Sequence, residues 1–366
     1  MTDPRRLRIV HTEASLGWGG QEIRILSEAA GMAARGHRVR LLCPAEARIF
    51  AEAGARGVAV TALPIGRKNP RGLFALRRWL AANPCDVVNT HSSTDSWLAA
   101  LACASLRGAP PLVRTRHISA PIPYNAASRW LYTRATTRIV TTGERLRETL
   151  VRDNGFDGAR IVSIPTGVDT ARFAPGDRGA ARQALGLPDV PTVGIVATLR
   201  SWKGHRYLLE AVAQLGRPDL NLVVVGDGPQ RAALEAQADA LGLHPRVRFA
   251  GNQDTVVPWL QALDVFVLPS YANEGVPQAI IQAMLCALPV VTTSVGSICE
   301  AVQDGTTGLM VPPREAAPLA AALARLLDDP PLRARLGVAA RSAALARFSI
   351  ESMLDRMEAV FQETVA

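Results

Sequence analysis

Lys203 and Glu274 are charged residues at places where a parallel sheet meets a ligand. The run TVGIVATLRSWKG (192–204) reads as a buried strand leading to Lys203-Gly204 at the start of a helix over 207–215. A cation beside a helix N-terminus is unfavourable for the helix alone. It becomes favourable when a diphosphate lies between the two. Arg200 lies on the same approach. The longer run 265–313 begins VFVLPSYANEGVPQAIIQAMLCALPVVTTS. It predicts a strand at 265–268, a polar loop ending in Glu274-Gly275, a helix over 276–288 stopped by Leu288-Pro289, and a strand at 290–293. Strand–loop–helix–strand units build parallel sheets, and such sheets bind ligands at the C-terminal ends of their strands. Glu274 is therefore placed at a ligand, just ahead of a helix whose free N–H groups favour oxygen-rich, anionic partners.

The elements around these residues repeat the same unit. In the first half a strand at 8–10 runs into His11-Thr12-Glu13 and then LGWGGQ, where Gly19-Gly20 turn into a helix over 22–35 closed by Gly36. A Gly-rich turn lets backbone approach a bulky ligand. The pattern is not G-x-G-x-x-G, and no acidic residue ends the next strand, 39–43, which counts against a dinucleotide-binding domain. DVVNTH (86–91) is a strand ending in His91 before a polar loop and helix, and LVRTRH (112–117) is another ending in His117. A strand at 138–142 is the last of the first half. In the second half NLVVVGDGP (221–229) is a strand with a turn at Gly226, and VRFAGN (247–252) a strand whose loop carries Gly251 and Asn252. Helices are expected over 315–327, 332–346 and 350–364. The Pro- and Gly-rich stretch 174–191, with a short helix over 178–185, marks a domain boundary.

The chain has 366 residues, enough for two domains, with 48% hydrophobic residues to fill two cores. No apolar run is as long as a membrane span, and the first ten residues pass from early arginines straight into a strand without the pattern of a secretory signal. Five scattered cysteines make no C-x-x-C pair, which speaks against a disulfide framework or a zinc site and fits a reducing cytoplasm. The net charge of +9 is uneven. Residues 1–173 hold 25 Lys and Arg against 13 Asp and Glu; residues 174–366 hold 16 against 19. The arginines Arg67, Arg71, Arg77 and Arg78 accompany Leu73, Phe74, Leu76, Trp79 and Leu80 at roughly helical spacing. That pattern suits an anionic membrane surface as well as an ordinary solvated helix.

The run 265–313 resembles the retaining glycosyltransferases of family 4, which have the GT-B fold, including enzymes of bacterial lipopolysaccharide and envelope-glycan synthesis. Glu274 matches the first Glu of the family signature; Glu300, Gly305 and Gly308 match its tail; Gln282 stands where the family has a second Glu. The segment 160–169 resembles the family's linker, with Thr166 in place of Asn, and Lys203 aligns with the family's Lys. Thr198 occupies the usual Arg position. Arg200, two residues later, keeps the same face if the strand extends that far.

The resemblance implies two Rossmann-like α/β domains facing across a cleft. These are an acceptor-side domain (1–173), a nucleotide-sugar domain (174–347) and a final helix (348–366) crossing back to the first. It implies sugar transfer from a nucleotide-diphosphate sugar to a glycan or lipid-linked hydroxyl, with retention. Lys203 and Arg200 would stabilise the leaving diphosphate, Glu274 hold sugar hydroxyls, and His91 orient the sugar. Gln282 would meet the ribose, Gly19 and Gly20 would offer N–H groups, and His117 would lie on the acceptor side. Gly226, Gly251, Asn252, Gly275, Val276, Pro277 and Gln278 would complete the donor site. No Asp-x-Asp motif is present, so neither metal nor cofactor is expected, and no nucleic acid. The expected location is cytoplasmic, with a possible peripheral attachment to the inner membrane face. A sugar-nucleotide epimerase or hydrolase on the same fold, or a non-catalytic nucleotide-sugar-binding homologue suggested by Thr198 and Gln282, are the alternatives.

Overall fold

The computed structural model describes residues 5–366. The first four residues of the arginine-bearing lead-in lie outside the described residues. The chain forms two compact units, one running to Gly167 and including Ile350–Ala366, the other Val168–Ser349.

The first unit holds seven strands: β1 Arg8–Thr12, β2 Arg38–Cys43, β3 Val60–Ala62, β4 Val87–Thr90, β5 Leu112–Arg116, β6 Arg138–Thr141 and β7 Ile161–Ser163. The second holds six: β8 Thr192–Val196, β9 Asn221–Val225, β10 Val247–Gly251, β11 Val265–Leu268, β12 Val290–Thr292 and β13 Gly308–Met310. Both sheets are parallel, in the orders β3-β2-β1-β4-β5-β6-β7 and β10-β9-β8-β11-β12-β13. Runs such as Val87-Val88 and Val265–Leu268 are buried throughout because helices cover both faces of a parallel sheet. Each order reverses once, between β1 and β4 and between β8 and β11. Open α/β sheets bind ligands at such reversals, outside the C-terminal strand ends.

Two apolar layers sandwich the first sheet. One includes Ile25, Leu26 and Met32 from the helix Gly20–Ala34, with Met353, Met357 and Phe361 from the helix Ile350–Val365. The two helices approach closely because Gly31 has no side chain; a Cβ there would lie 2.4 Å from Leu354 Cδ1. Arg24 is fully buried between them and donates from Nη1 to the Ile164 carbonyl (2.9 Å) and the Thr166 hydroxyl (3.2 Å).

Four elements depart from the sequence reading, the first being β7 Ile161–Ser163, which pairs with β6 and so replaces the strand at 138–142 as the last of the first unit. The helix expected over 276–288 is Gln278–Leu285: Pro277 is its N-cap, and just past its end Ala287 turns left-handed at φ 57°. The strand after Thr192 ends at Val196, earlier than the placement of Arg200 requires. Strand β13 went unread because Gly308-Leu309-Met310 is short and lacks β-branched residues.

Candidate active site

In the second unit the loops after β8 and β11 meet at the reversal point. Lys203 Nζ lies 2.6 Å from Glu274 Oε1, and the Ser270 hydroxyl donates to the same oxygen at 2.6 Å. The carboxylate is almost fully buried and the ammonium mostly so. Glycine makes this proximity possible. Gly204 is left-handed at φ 79°, and a Cβ on it would fall 2.1 Å from the Pro269 carbonyl oxygen. Gly296, at φ 59°, would place a Cβ 2.1 Å from the Glu274 carbonyl oxygen. Gly226 lies equally close to the Ala197 carbonyl and donates its N–H to Gly251 O at 2.8 Å. The strand-end loops thus lock together through backbone, and side chains larger than hydrogen cannot enter the seams.

The other residues expected on the donor side are spread around this point. Gly275, Val276 and Pro277 are buried ahead of the helix Gln278–Leu285. Gln282 is buried on that helix, and Gln278 Oε1 is buried without a partner. Asn252 is exposed beyond β10. Arg200 is a correction in geometry. It lies past the end of β8, so strand alternation does not govern it. It is exposed, with its guanidinium 5.8 Å from the centre of the Trp202 ring. Its carbonyl oxygen accepts from the Lys203 N–H at 3.1 Å, but its guanidinium is turned to Trp202 and not to the Lys203–Glu274 pair.

In the first unit the reversal point is occupied by histidines. His11 Nδ1 lies 2.9 Å from His91 Nε2, and His91 Nδ1 lies 3.0 Å from His117 Nε2. The register explains the line. His11 pairs with Asn89 and Asn89 with Val113, and His91 and His117 are the first residues past the ends of β4 and β5, so the parallel register brings all three to the same end of neighbouring strands. Burial pushes the His11 imidazole down to about 3. His91 and His117 are also held well below the ordinary range, first by burial and then by neighbouring positive groups. Both ring nitrogens of His91 are taken by other histidines. The ring nitrogens left at the two ends of the file are therefore His11 Nε2, which is buried, and His117 Nδ1; neither belongs to His91.

Around the file, Asp95 accepts from the Thr12 hydroxyl (2.7 Å) and the His91 N–H (2.9 Å). Glu13 accepts from Ser15 N–H and the Gln21 amide, and burial raises its carboxyl above the ordinary range. Gly19 is the extended N-cap and Gly20 the first residue of the helix Gly20–Ala34. A cavity of about 290 Å³ opens beside the file, lined among others by Lys68, His91, Arg114, Arg116, His117 and Tyr132. Among the described residues no group of three or more His, Cys, Asp or Glu is arranged to hold a metal ion.

Sequence reasoning missed His11, Arg114 and Arg116. The available signal was that adjacent strands of one sheet all carry a histidine at their C-terminal ends. The basic helix is Pro70–Ala82, and its apolar residues mostly face inward. Leu76 and Leu80 are buried, Leu73 and Trp79 pack against the core, and Phe74 is 67% exposed. Among the described residues no helix is long and apolar enough to cross a membrane.

Residues 18–172 match the family described as Glycosyltransferase Family 4, and residues 190–329 that described as Glycosyl transferases group 1. A D-inositol 3-phosphate glycosyltransferase from Saccharomonospora viridis is 32% identical over 414 residues, covering 99% of this chain and 95% of that protein. The chain belongs to the family 4 glycosyltransferases. A second member, a 2-deoxystreptamine glucosyltransferase from Streptomyces kanamyceticus, is 32% identical over 84% of this chain and 90% of its own length. Among solved structures, Anabaena Alr3699/HepE in complex with UDP-glucose superimposes with a TM-score of 0.89 at 22% identity, covering 98% of this chain and all of that one. The fold is thus GT-B, with a Rossmann-like sheet in each unit, and the chain is a sugar-transferring enzyme.

Proposed function

We propose that this glycosyltransferase takes a nucleotide-diphosphate sugar as donor and transfers the sugar, with retention, to a hydroxyl of a glycan or lipid-linked acceptor of envelope-glycan synthesis. The observation that carries the donor assignment is the Lys203–Glu274 pair at the reversal point of the second sheet. Without donor the two charges neutralise each other. A donor that sets its diphosphate against Lys203 and its sugar hydroxyls against Glu274 replaces one ion pair with two sets of charge-assisted hydrogen bonds. When the bond between sugar and diphosphate breaks, its electron pair leaves with the diphosphate. An ammonium fixed in a dry site stabilises that charge. Gln282 accepts a hydrogen bond from the ribose without adding charge. Arg200, exposed three residues ahead of Lys203, would be a second cation for the diphosphate.

The two relatives are named for different cyclitols, one an amine and one a phosphate, so family membership leaves the acceptor open. The test of the donor assignment is a thermal-shift panel of UDP-, GDP-, ADP- and CDP-sugars on the wild type and Glu274→Gln. A sugar nucleotide at 100 times its Kd stabilises by about 2.7 kcal/mol. The reading fails if no nucleotide sugar stabilises the wild type. Hydrolysed or epimerised sugar without acceptor would favour the alternative chemistry. Membrane attachment is the finer part of the proposal. It rests on exposed Phe74 flanked by exposed Arg71 and Arg78. Sedimentation with anionic vesicles tests it, and no binding at low salt rejects it.

A further inference from the structure

We infer that Ser270 is a positioning residue for Glu274: its hydroxyl keeps hold of Oε1 when the Lys203 ammonium turns to the diphosphate, and so leaves Oε2 as the oxygen that meets the donor sugar. The inference deepens the donor reading above and rests on it.

The two oxygens of Glu274 stand in different surroundings. Lys203 Nζ and the Ser270 hydroxyl both lie 2.6 Å from Oε1. Oε2 has no partner among the described residues, yet it is not enclosed as the unpartnered Ser297 Oγ is. An ionised carboxylate accepts hydrogen bonds and donates none. Oε1 is therefore occupied by two donors, and Oε2 is the oxygen a sugar hydroxyl can reach.

The two donors differ in freedom. Lys203 carries its ammonium on a long flexible stem, and its side chain keeps some exposure. Ser270 has one side-chain carbon and is fully buried. Its backbone is held from several sides. The Pro269 carbonyl lies against Gly204, where a Cβ would fall 2.1 Å away. The Tyr271 N–H donates to the Trp202 carbonyl at 2.8 Å, and the Thr293 hydroxyl donates to the Ser270 carbonyl at 2.5 Å. The Tyr271 ring has the Arg314 guanidinium 4.3 Å from its centre and the Tyr207 ring edge-on at 6.1 Å. Arg314 holds that place at φ 66°, a left-handed conformation that residues with side chains seldom adopt. Ser270 is thus fixed to the turn that carries Lys203 and cannot follow the ammonium when it moves. A buried carboxylate stripped of its last partner is strongly disfavoured. The Ser270 bond keeps Glu274 oriented while Lys203 exchanges it for the diphosphate, and Oε2 is presented in one direction. Ser270 itself touches no reacting atom; it acts through Glu274.

The test is calorimetry on the full chain with UDP-, GDP-, ADP- and CDP-sugars, each beside its parent nucleoside diphosphate. Ser270→Ala should weaken the nucleotide sugar that binds roughly tenfold and leave the parent diphosphate within about twofold. In a Glu274→Ala background the same substitution should add no further loss, because the group it acts through is gone. Ser270→Cys keeps a weaker donor and should fall between wild type and Ser270→Ala. Equal loss for the nucleotide sugar and the diphosphate, or the same loss with Glu274 already removed, would mark a purely structural serine and overturn the proposal. So would no loss at all. If the Ser270 variants fail to fold, the wild type still decides. Lys68 and Lys203 are the only lysines of the chain, so 15N-lysine spectra, assigned with Lys68→Arg, follow the Lys203 ammonium. Its signal should shift when the nucleotide sugar binds. A signal unmoved by bound donor would show that Lys203 never leaves Oε1, and would overturn the proposal. Binding of no nucleotide sugar overturns the donor reading and this inference with it. Nucleotide-sugar binding that is indifferent to Ser270 overturns this inference alone.

Discussion

The two units reverse their strand order in the same way but fill the reversal point with opposite chemistry. The second places full charges there, Lys203 against Glu274, and freezes the surrounding backbone with glycines that admit no side chain. The first places three neutral imidazoles there, each ring held by the next. The difference fits the roles proposed for the two sheet ends. Charge development on a leaving diphosphate calls for a preorganised cation. Holding and orienting a group that does not change charge calls for fixed hydrogen-bond polarity. A fold repeated twice thus supplies a scaffold, and the residues at the strand ends decide the task.

The largest expected effect lies on the charged side. Lys203→Ala should cost roughly 3–4 kcal/mol in transition-state stabilisation with the fold intact, and Glu274→Gln should abolish most transfer while sparing affinity for the free nucleotide. Steady-state kinetics with nucleotide titrations reads both. Near-wild-type turnover in each would erase the contrast between the units. Next, Gly296→Ala forces a Cβ against the Glu274 carbonyl at φ 59° and should cost roughly 2–3 kcal/mol in urea unfolding. Gly186→Ala, where a Cβ meets nothing within 4 Å but φ is also positive, should cost about 1 kcal/mol and isolates the backbone part.

The neutral side is sharpened by pH. His11 titrates near 3 when folded and near 6.5 when unfolded, so below the unfolded value the unfolded chain takes a proton that the native state refuses. Stability from this group is complete above about 6.5 and is lost as pH falls toward 3. The stability difference between wild type and His11→Asn should therefore grow by about 2 kcal/mol from pH 4.5 to 6.5. A difference independent of pH would show that His11 is not held neutral. The smallest effect is Gln282→Ala, which should weaken nucleotide binding by about 0.5–1.5 kcal/mol for one neutral hydrogen bond. A loss as large as that of Lys203→Ala would give Gln282 a different role.

Much of the second unit was legible because its candidate site residues sit beside strand–turn–helix signals in continuous sequence. Glu274 follows a buried strand, and Lys203 precedes a helix. The alternation argument for Arg200 failed because nothing in ATLRSW marks the end of β8 at Val196; only the turn beyond it takes Arg200 out of the strand's alternation. The histidine file was beyond a local reading. His11, His91 and His117 lie far apart in sequence and meet only through the register of β1, β4 and β5. His91 was legible as a strand-end histidine, but the engagement of both its nitrogens was not. The basic helix shows the same limit. Its composition is visible in sequence, whereas the inward placement of Leu76 and Leu80 depends on what packs beneath them.

Hydrogen exchange of the full chain with and without UDP-glucose, in the absence of acceptor, tests the central claim most directly. The account predicts protection at the strand-end loops of the second unit, around Lys203, Gly226, Glu274 and Gly296, with loss of that protection in Lys203→Ala. The segments carrying His11, His91 and His117 should show much smaller changes. Protection centred on the histidine segments, or none with UDP-glucose or any other nucleotide sugar, would contradict it.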